Sequence, residues 1–350
     1  MNLSEFSNRG LFFLHNIEDI VVASSSEDEA TTVVVGVDHK EIFREDLYPG
    51  ADGRVVIDDV PSLLAPYVTS CHHVSINNYG ARVLFASKPI RALYDGTVTV
   101  GEWLAANYLS PVRCKTVSDD EPICLAAANL VATADIPAPF RINVTGAYYQ
   151  DGMYQTRSAH TEVNAESNIY DVKNIMMTFD GVRDMLAAPA PLVGFTISLN
   201  DRLYKFFRMK GYPAITLRWR NCFGQAEYLS LQGKLQYKPE VKYTTGIING
   251  VRRNIDAESE MVYTMQTGPI DEDTRLLLLD MVESREVYLS EEGLAYPITI
   301  EESDLTRSTD RSELQGAQFT FRRSKDRGAY IESFKPTERI FSGQFDWSYN

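Results

Sequence analysis

Four Asp-Gly or Asn-Gly dipeptides, spread along the chain, constrain its fold more than any other feature of the sequence. They are Asp52-Gly53, Asp95-Gly96, Asp151-Gly152 and Asn249-Gly250. A two-residue β-hairpin turn needs positive φ angles, and Asn or Asp followed by Gly adopts them at the lowest steric cost. The flanking segments are rich in the alternating and β-branched patterns of strands. The sequence therefore predicts a mainly antiparallel β protein.

Each dipeptide is expected to join two neighbouring strands. The predicted pairs are 41–47 with 54–57, 91–94 with 97–100, 141–149 with 153–156, and 241–248 with 251–255. Polar turns predict three further pairs, which are 74–76 with 82–86, 192–199 with 203–207, and 215–219 with 227–231. Hairpins of this kind combine into sandwich or barrel-like domains.

A few short helices accompany the strands. The clearest one spans about 272–284, because acidic residues stand at its start and four consecutive leucines follow. Shorter helices are predicted over 62–67, 102–108 and 181–188. Two segments, 123–132 and 172–179, fit either a helix or a strand, since periodicity does not separate the two for short apolar runs.

Two proline-rich segments, 136–139 and 187–191, suggest linkers between structural units. A chain of 350 residues can hold two or three domains, each with its own core. We expect an N-terminal β domain over 1–136, a middle β-rich segment over 137–212, and a C-terminal β domain over 213–350 that contains the helix near 272–284.

Charge and cysteine content narrow the possible partners and location. The chain has 34 basic and 48 acidic residues, a net charge of −14, which disfavours specific nucleic-acid binding. No run approaches the roughly 18 apolar residues of a membrane span. The four cysteines form no CxxC motif, and the first residues lack the pattern of a signal peptide. We expect a protein with reduced thiols, made in the cytoplasm and not inserted in a membrane.

Motifs for catalysis, cofactors or metals are weak. The sequence contains no GxSxG, HExxH, GxGxxG or GxxxxGK[ST] pattern. Cys71-His72-His73 groups possible metal ligands, but adjacent strand residues point to opposite faces and chelate one ion poorly. Acidic pairs such as Asp58-Asp59, Glu162 with Glu166, and Asp271 to Asp273 fit helix starts and solvated loops. We therefore predict no catalytic residue, no cofactor and no metal, and hence not an enzyme.

Several segments resemble tail proteins of tailed bacteriophages and prophages. They are 217–228, 276–285, 287–289, 296–300, 317–322 and, near the N-terminus, 48–55. The resemblance covers about half the chain and carries no catalytic residue. It implies a structural protein of the virion tail, made in the host cytoplasm. Such a subunit of the distal tail or baseplate would form a ring of identical copies and contact tail-tube, hub or fibre proteins.

Two other functions are compatible with a β-rich chain. One is a carbohydrate-binding β-sandwich module of a phage or cell-surface adhesin. Its aromatic rings would stack on sugars, and the three tryptophans, Trp103, Trp219 and Trp347, are the candidates for such stacking or for a protein interface. The other is a hydrolase with an acidic pair, which no motif supports.

Overall fold

A computed structural model describes eight ranges of the chain, namely 1–23, 29–119, 121–128, 140–163, 172–199, 202–291, 294–305 and 316–324. Within them, short helices accompany many strands, so the predicted mainly β, antiparallel fold is confirmed. The helices are α1 Leu3–Arg9, α2 Val60–Leu64, α3 Arg91–Tyr94, α4 Val100–Ala106, α5 Phe179–Met185 and α6 Glu272–Glu283, with a 3₁₀ turn at Leu14–Asn16.

The described strands number 21 and are antiparallel to their neighbours except for two parallel pairs. They are β1 Leu11–Phe13, β2 Ile20–Ala23, β3 Thr31–Val37, β4 Lys40–Leu47, β5 Arg54–Ile57, β6 Cys71–Ile76, β7 Tyr79–Leu84, β8 Cys114–Val117, β9 Ile123–Ala128, β10 Phe140–Gln150, β11 Met153–Val163, β12 Val172–Met177, β13 Leu192–Leu199, β14 Arg202–Arg208, β15 Ile215–Arg220, β16 Ala226–Leu231, β17 Gly233–Ile248, β18 Val251–Thr267, β19 Val287–Glu291, β20 Leu294–Asp304 and β21 Gln318–Arg323.

Three large sheets organise these strands. An N-terminal sheet has the order β1-β7-β6-β3-β4, a middle sheet β11-β10-β13-β14-β8, and a C-terminal sheet β16-β15-β19-β20-β21-β18-β17. Two strand pairs, β2-β5 and β12-β9, complete the described set. None of these sheets closes on itself among the described strands, so a barrel-like closure is not part of the fold seen there.

Two of the four turn dipeptides form the predicted hairpins. Asp151-Gly152 joins β10 to β11, and Asn249-Gly250 joins β17 to β18. All four turn residues have positive φ, from 52° to 81°. This is the conformation that a two-residue primed turn requires.

The other two dipeptides do not form hairpins, and both predictions are wrong. Asp52-Gly53 lies between β4 and β5, but β4 pairs with β3 and β5 pairs with β2. Asp95-Gly96 follows helix α3 instead of a strand, and Gly96 has a φ of 66° just after its end. The next helix begins at Val100, because Thr99 and Glu102 form a capping box that favours a helical start.

Most of the remaining element predictions are confirmed with shifted ends. The hairpins β6–β7, β13–β14 and β15–β16 pair as expected. Helix α6 begins after Asp271, whose carboxylate accepts a hydrogen bond from the Thr274 amide. The two ambiguous segments form strands over 123–128 and 172–177, and β9 pairs with β12; Phe179, the last residue of the second segment, begins helix α5. Helix α1 was not predicted, although Asn2 and Glu5 form a capping box at its start.

Buried apolar side chains form one cluster under each large sheet and a fourth between them. We call the fourth the junction cluster; its buried members are Leu11, Phe13, Leu84, Ala86, Leu104, Leu109, Ala126 and Phe223. It combines residues from the N-terminal part of the chain with Phe223 of the C-terminal part. The domain boundaries near 136 and 212 stay predictions. Strands β8 and β9 precede residue 136 and pair with strands β14 and β12 of the predicted middle segment.

Candidate assembly surface

The two described tryptophans lie in packed surroundings. The Trp219 side chain is only 1% exposed, and its indole nitrogen donates to Asp280 Oδ2 at 2.7 Å. Trp103 is half-buried, with ring centroids 5.2 Å from Phe13 and 5.5 Å from Phe223. Trp219 therefore has no exposed face for stacking on a sugar or a partner, and Trp103 packs at the junction cluster. Trp347 lies outside the described residues.

Asp280 is a buried acid that holds the β15–β16 turn against helix α6. It accepts hydrogen bonds from Trp219 and, at 2.8 Å, from the Cys222 amide. Burial raises the pKa of Asp280 to about 6, and the hydrogen bonds from Trp219 and Cys222 oppose that rise. Burial and the nearby Asp280 carboxylate raise the pKa of the Cys222 thiol, which makes this cysteine a weak nucleophile.

A buried ion cluster connects the middle and C-terminal sheets. Lys115 Nζ lies 2.8 Å from Glu121 Oε1 and 3.1 Å from Glu227 Oε1, and all three side chains are almost fully buried. Burial alone would lower the pKa of Lys115, but the two carboxylates outweigh it and raise that pKa. Asn221 and Ser110 donate to Glu227 as well. The cluster links β8 to β16 and suits a structural role.

The histidines of the Cys71-His72-His73 segment have protein partners. His72 Nδ1 lies 2.6 Å from Asp38 Oδ2, while the His73 ring stacks on His39. In the ranges that the structure describes, no three His, Cys, Asp or Glu side chains converge as metal ligands.

The two longest described strands form a β-hairpin, which we call the arm and define as β17 with β18, residues 233–267. Its two strands pair from Gly233–Thr267 out to Ile248–Val251, with one irregularity after Thr244. The neighbouring strand β21 pairs with β18 only from Val262 to Gln266. Within the described sheet, the outer part of the arm is therefore a two-stranded ribbon.

The arm is amphipathic. Residues paired across two strands share a face, and successive pairs alternate between faces. One face carries five pairs that are mostly apolar or aromatic; they are Leu235–Met265, Tyr237–Tyr263, Pro239–Met261, Val241–Ser259 and Tyr243–Ala257. The opposite face carries the charged residues Lys234, Lys238, Glu240, Lys242, Asp256 and Glu260. The alternation is that of a strand pair with one buried face.

The apolar face begins in the core and continues into solvent. Met265 is fully buried, and Tyr263 stacks on Phe321 with ring centroids 5.2 Å apart. On the edge strand β17, Tyr237 lies directly opposite Tyr263 and is 68% exposed, and Tyr243, farther out, is 59% exposed. An isolated two-stranded hairpin is only marginally stable in water. An uncovered apolar face of this length is typical of a surface that another chain covers.

The root of the arm, by which we mean residues 233–244 and 256–267, is held by one arginine. Arg322 on β21 contacts Glu240, Glu260 and Glu301 at 2.6–2.7 Å. These carboxylates come from β17, β18 and β20, so a single guanidinium connects three strands to β21. The Glu240 carboxylate raises the pKa of Arg322, and Arg322 in turn lowers the pKa of Glu240.

Sequence reasoning found the arm's turn but missed its length. The sequence predicts one strand that begins at 241 and a separate strand over 261–266. In the structure, β17 extends back to Gly233, and β18 continues to Thr267. The available signal was the alternation of Leu235, Tyr237, Val241 and Tyr243, with only Pro239 between them on the same face. Pro239 obscured this alternation, because a proline argues against a strand in the middle of a sheet. The structure accommodates Pro239 because β17 lies at the edge of its sheet.

Comparison with known protein families, curated proteins and solved structures finds no match to this chain. Among the described helices, none is both long enough and apolar enough to cross a membrane.

Proposed function

We propose that this protein is a non-enzymatic structural subunit that assembles with further copies of itself through the arm. The observation that carries the proposal is the arm's apolar face, which leaves the C-terminal core and stays exposed beyond β21. A second protein surface over this face would remove aromatic and aliphatic area from water, the main favourable term in association.

The setting that we propose is the virion tail of a tailed phage or prophage. The subunit would form a ring in the distal tail or baseplate and connect the tail tube to the tip or fibres. Support comes from the resemblance of segments such as 217–228 to phage tail proteins. The exposed edge strands β11 and β17 support it too, since ring assembly pairs or covers such edges.

The proposal is tested by measuring the mass of the purified protein in solution. Mass photometry and sedimentation should show one discrete oligomer, and negative-stain images should show closed rotational symmetry. Replacing Tyr243 with Ser should weaken self-association by about tenfold, because a large apolar side chain leaves the interface. Tyr212→Ser is the matched control, since Tyr212 is 97% exposed and lies outside the arm. A chain that stays monomeric at micromolar concentration contradicts the proposed function.

A further inference from the structure

The tip of the arm differs in composition from its root. We define the tip as residues 245–255, beyond the irregularity in strand pairing. It exposes four aliphatic side chains, and the most exposed, Ile247, is 76% accessible; the others are Ile248, Val251 and Ile255. Ile255 lies over Gly246, where a Cβ would meet its Cδ1. Ile248 pairs with Val251 and Ile247 pairs with Arg252, and successive pairs lie on opposite faces, so the tip presents aliphatic side chains on both faces of the ribbon.

Two arginines stand among these aliphatic side chains, one on each face of the ribbon. Arg252 and Arg253 are exposed, and neither pairs with an acid in the described part of the chain. The tip itself contains no acidic residue. Arginine is enriched in protein interfaces and among the residues that dominate their binding energy, whereas Asp, Glu and Lys are depleted there.

The charge of the arm opposes that of the rest of the chain. The arm contains five basic and four acidic residues and so carries +1. Because the whole chain carries −14, the remainder carries −15. A basic tip is attracted to an acidic surface, and such complementarity accelerates association and fixes its orientation.

We propose that the arm tip of one copy binds the acidic body of a second copy, in a head-to-tail contact. The inference rests on the proposed function, since it names the partner of the arm. Tip and body are different surfaces, so each copy can donate one tip and receive another. Repetition of such a contact closes a ring when the rotation between neighbours allows it.

The experiment compares two double variants with the same change of net charge. Arg252→Glu with Arg253→Glu reverses the tip, while Lys210→Glu with Lys234→Glu alters exposed lysines near the root of the arm. Sedimentation velocity is run on the full chain at about 50 mM and 300 mM salt. We expect the tip variant to associate at least about tenfold more weakly and the root variant to change by less than about threefold. Wild-type association should weaken at the higher salt concentration.

The outcomes separate this inference from the proposed function. A wild-type monomer contradicts both. An oligomer that the tip and root variants weaken equally, or that salt does not weaken, contradicts the inference alone. Hydrogen exchange on dilute wild-type monomer tests whether the protein's own chain covers the tip. Slow exchange at 245–255 that the tip variant abolishes would overturn the contact between copies. Unchanged circular dichroism and unchanged exchange in the three sheets establish that each variant is folded.

Discussion

At the scale of single residues, the most informative side chain is the buried carboxylate of Asp280. It joins an indole nitrogen from β15 and an amide from the following turn to helix α6. A buried acid of this type binds its proton more tightly in the folded chain than in the unfolded chain. Its ionisation therefore acts against folding, although its hydrogen bonds to Trp219 and Cys222 favour the charged form.

We predict that Asp280 makes the protein less stable as pH rises from about 4 to above 6. The pKa of Asp280 is raised from 3.8 to about 6 by folding. The stabilising contribution of the protonated carboxyl is therefore complete below the unfolded pKa and is lost as pH rises through the folded pKa. The loss is on the order of 3 kcal/mol in the free energy of unfolding. Urea denaturation of wild type and of Asp280→Asn across this pH range measures the loss as the difference between their free energies of unfolding. Parallel curves for the two proteins would contradict the prediction.

Sequence reasoning could not find the partners of these residues. Trp219 was predicted as an interface or sugar-stacking residue because it is a tryptophan in a β-rich chain. Its role depends on Asp280, which lies 61 positions away. Lys115 and Glu227 are 112 positions apart. Pairing across such separations follows from the arrangement of the sheets, which local patterns do not specify.

At the scale of elements, local turn chemistry predicts a hairpin only where no competing signal is present. Asp151-Gly152 and Asn249-Gly250 stand between long strands of matched length and form their turns. After Asp95-Gly96, the Thr99 and Glu102 capping box favours a helix. For Asp52-Gly53, the preceding strand already pairs through the Asp38-His39 turn, whose residues have φ of 47° and 66°. This turn contains no glycine; the Asp38 carboxylate contacts His72, and the His39 ring stacks on His73.

The arm's root gives the prediction at this scale. Arg322→Gln removes the guanidinium from three carboxylates, of which Glu240 and Glu260 lie directly opposite each other. Like charges at such positions repel. We expect faster amide hydrogen exchange in 236–242 at neutral pH, with little change in the other sheets.

The effect of Arg322→Gln should depend on pH in a defined direction. Arg322 lowers the pKa of Glu240, so its contribution is present above the unfolded pKa of that acid and is lost as pH falls through the folded value. Arg44→Gln is the control, because its partner Glu41 lies on the same strand and the pair is exposed. If exchange in the arm were equally fast in both variants, Arg322 would have no special role in holding the arm.

At the scale of the whole molecule, the β15–β16 turn connects parts of the chain that are distant in sequence. Phe223 packs with Phe13 and Trp103, while Asn221 Nδ2 donates to the Leu109 carbonyl. The Ser87 amide donates to the Cys222 carbonyl at 2.8 Å. The sequence predicted this turn and its flanking strands, but its apolar Phe223 gave no indication of which surface it contacts.

The last prediction concerns Gly224, which closes this turn against the N-terminal part. It has a φ of 73°, and an added Cβ would lie 2.5 Å from the Thr69 carbonyl oxygen. Gly224→Ala therefore combines backbone strain with a backbone clash, at a cost of about 1–3 kcal/mol. Because the turn holds two cores together, we expect residues 31–84 to exchange amide hydrogens at lower denaturant concentration than residues 215–231.

Gly101→Ala provides the matched control for that experiment, since an added Cβ there meets no atom within 4 Å. It adds the same methyl group to a residue of helix α4, where alanine is favoured over glycine. We expect it to leave the exchange of both regions as in wild type. If Gly224→Ala lowered the protection of amide hydrogens in 31–84 and 215–231 together, the two cores would unfold as one unit whether or not the turn packs against the N-terminal part. The turn would then stabilise the molecule without coupling its parts.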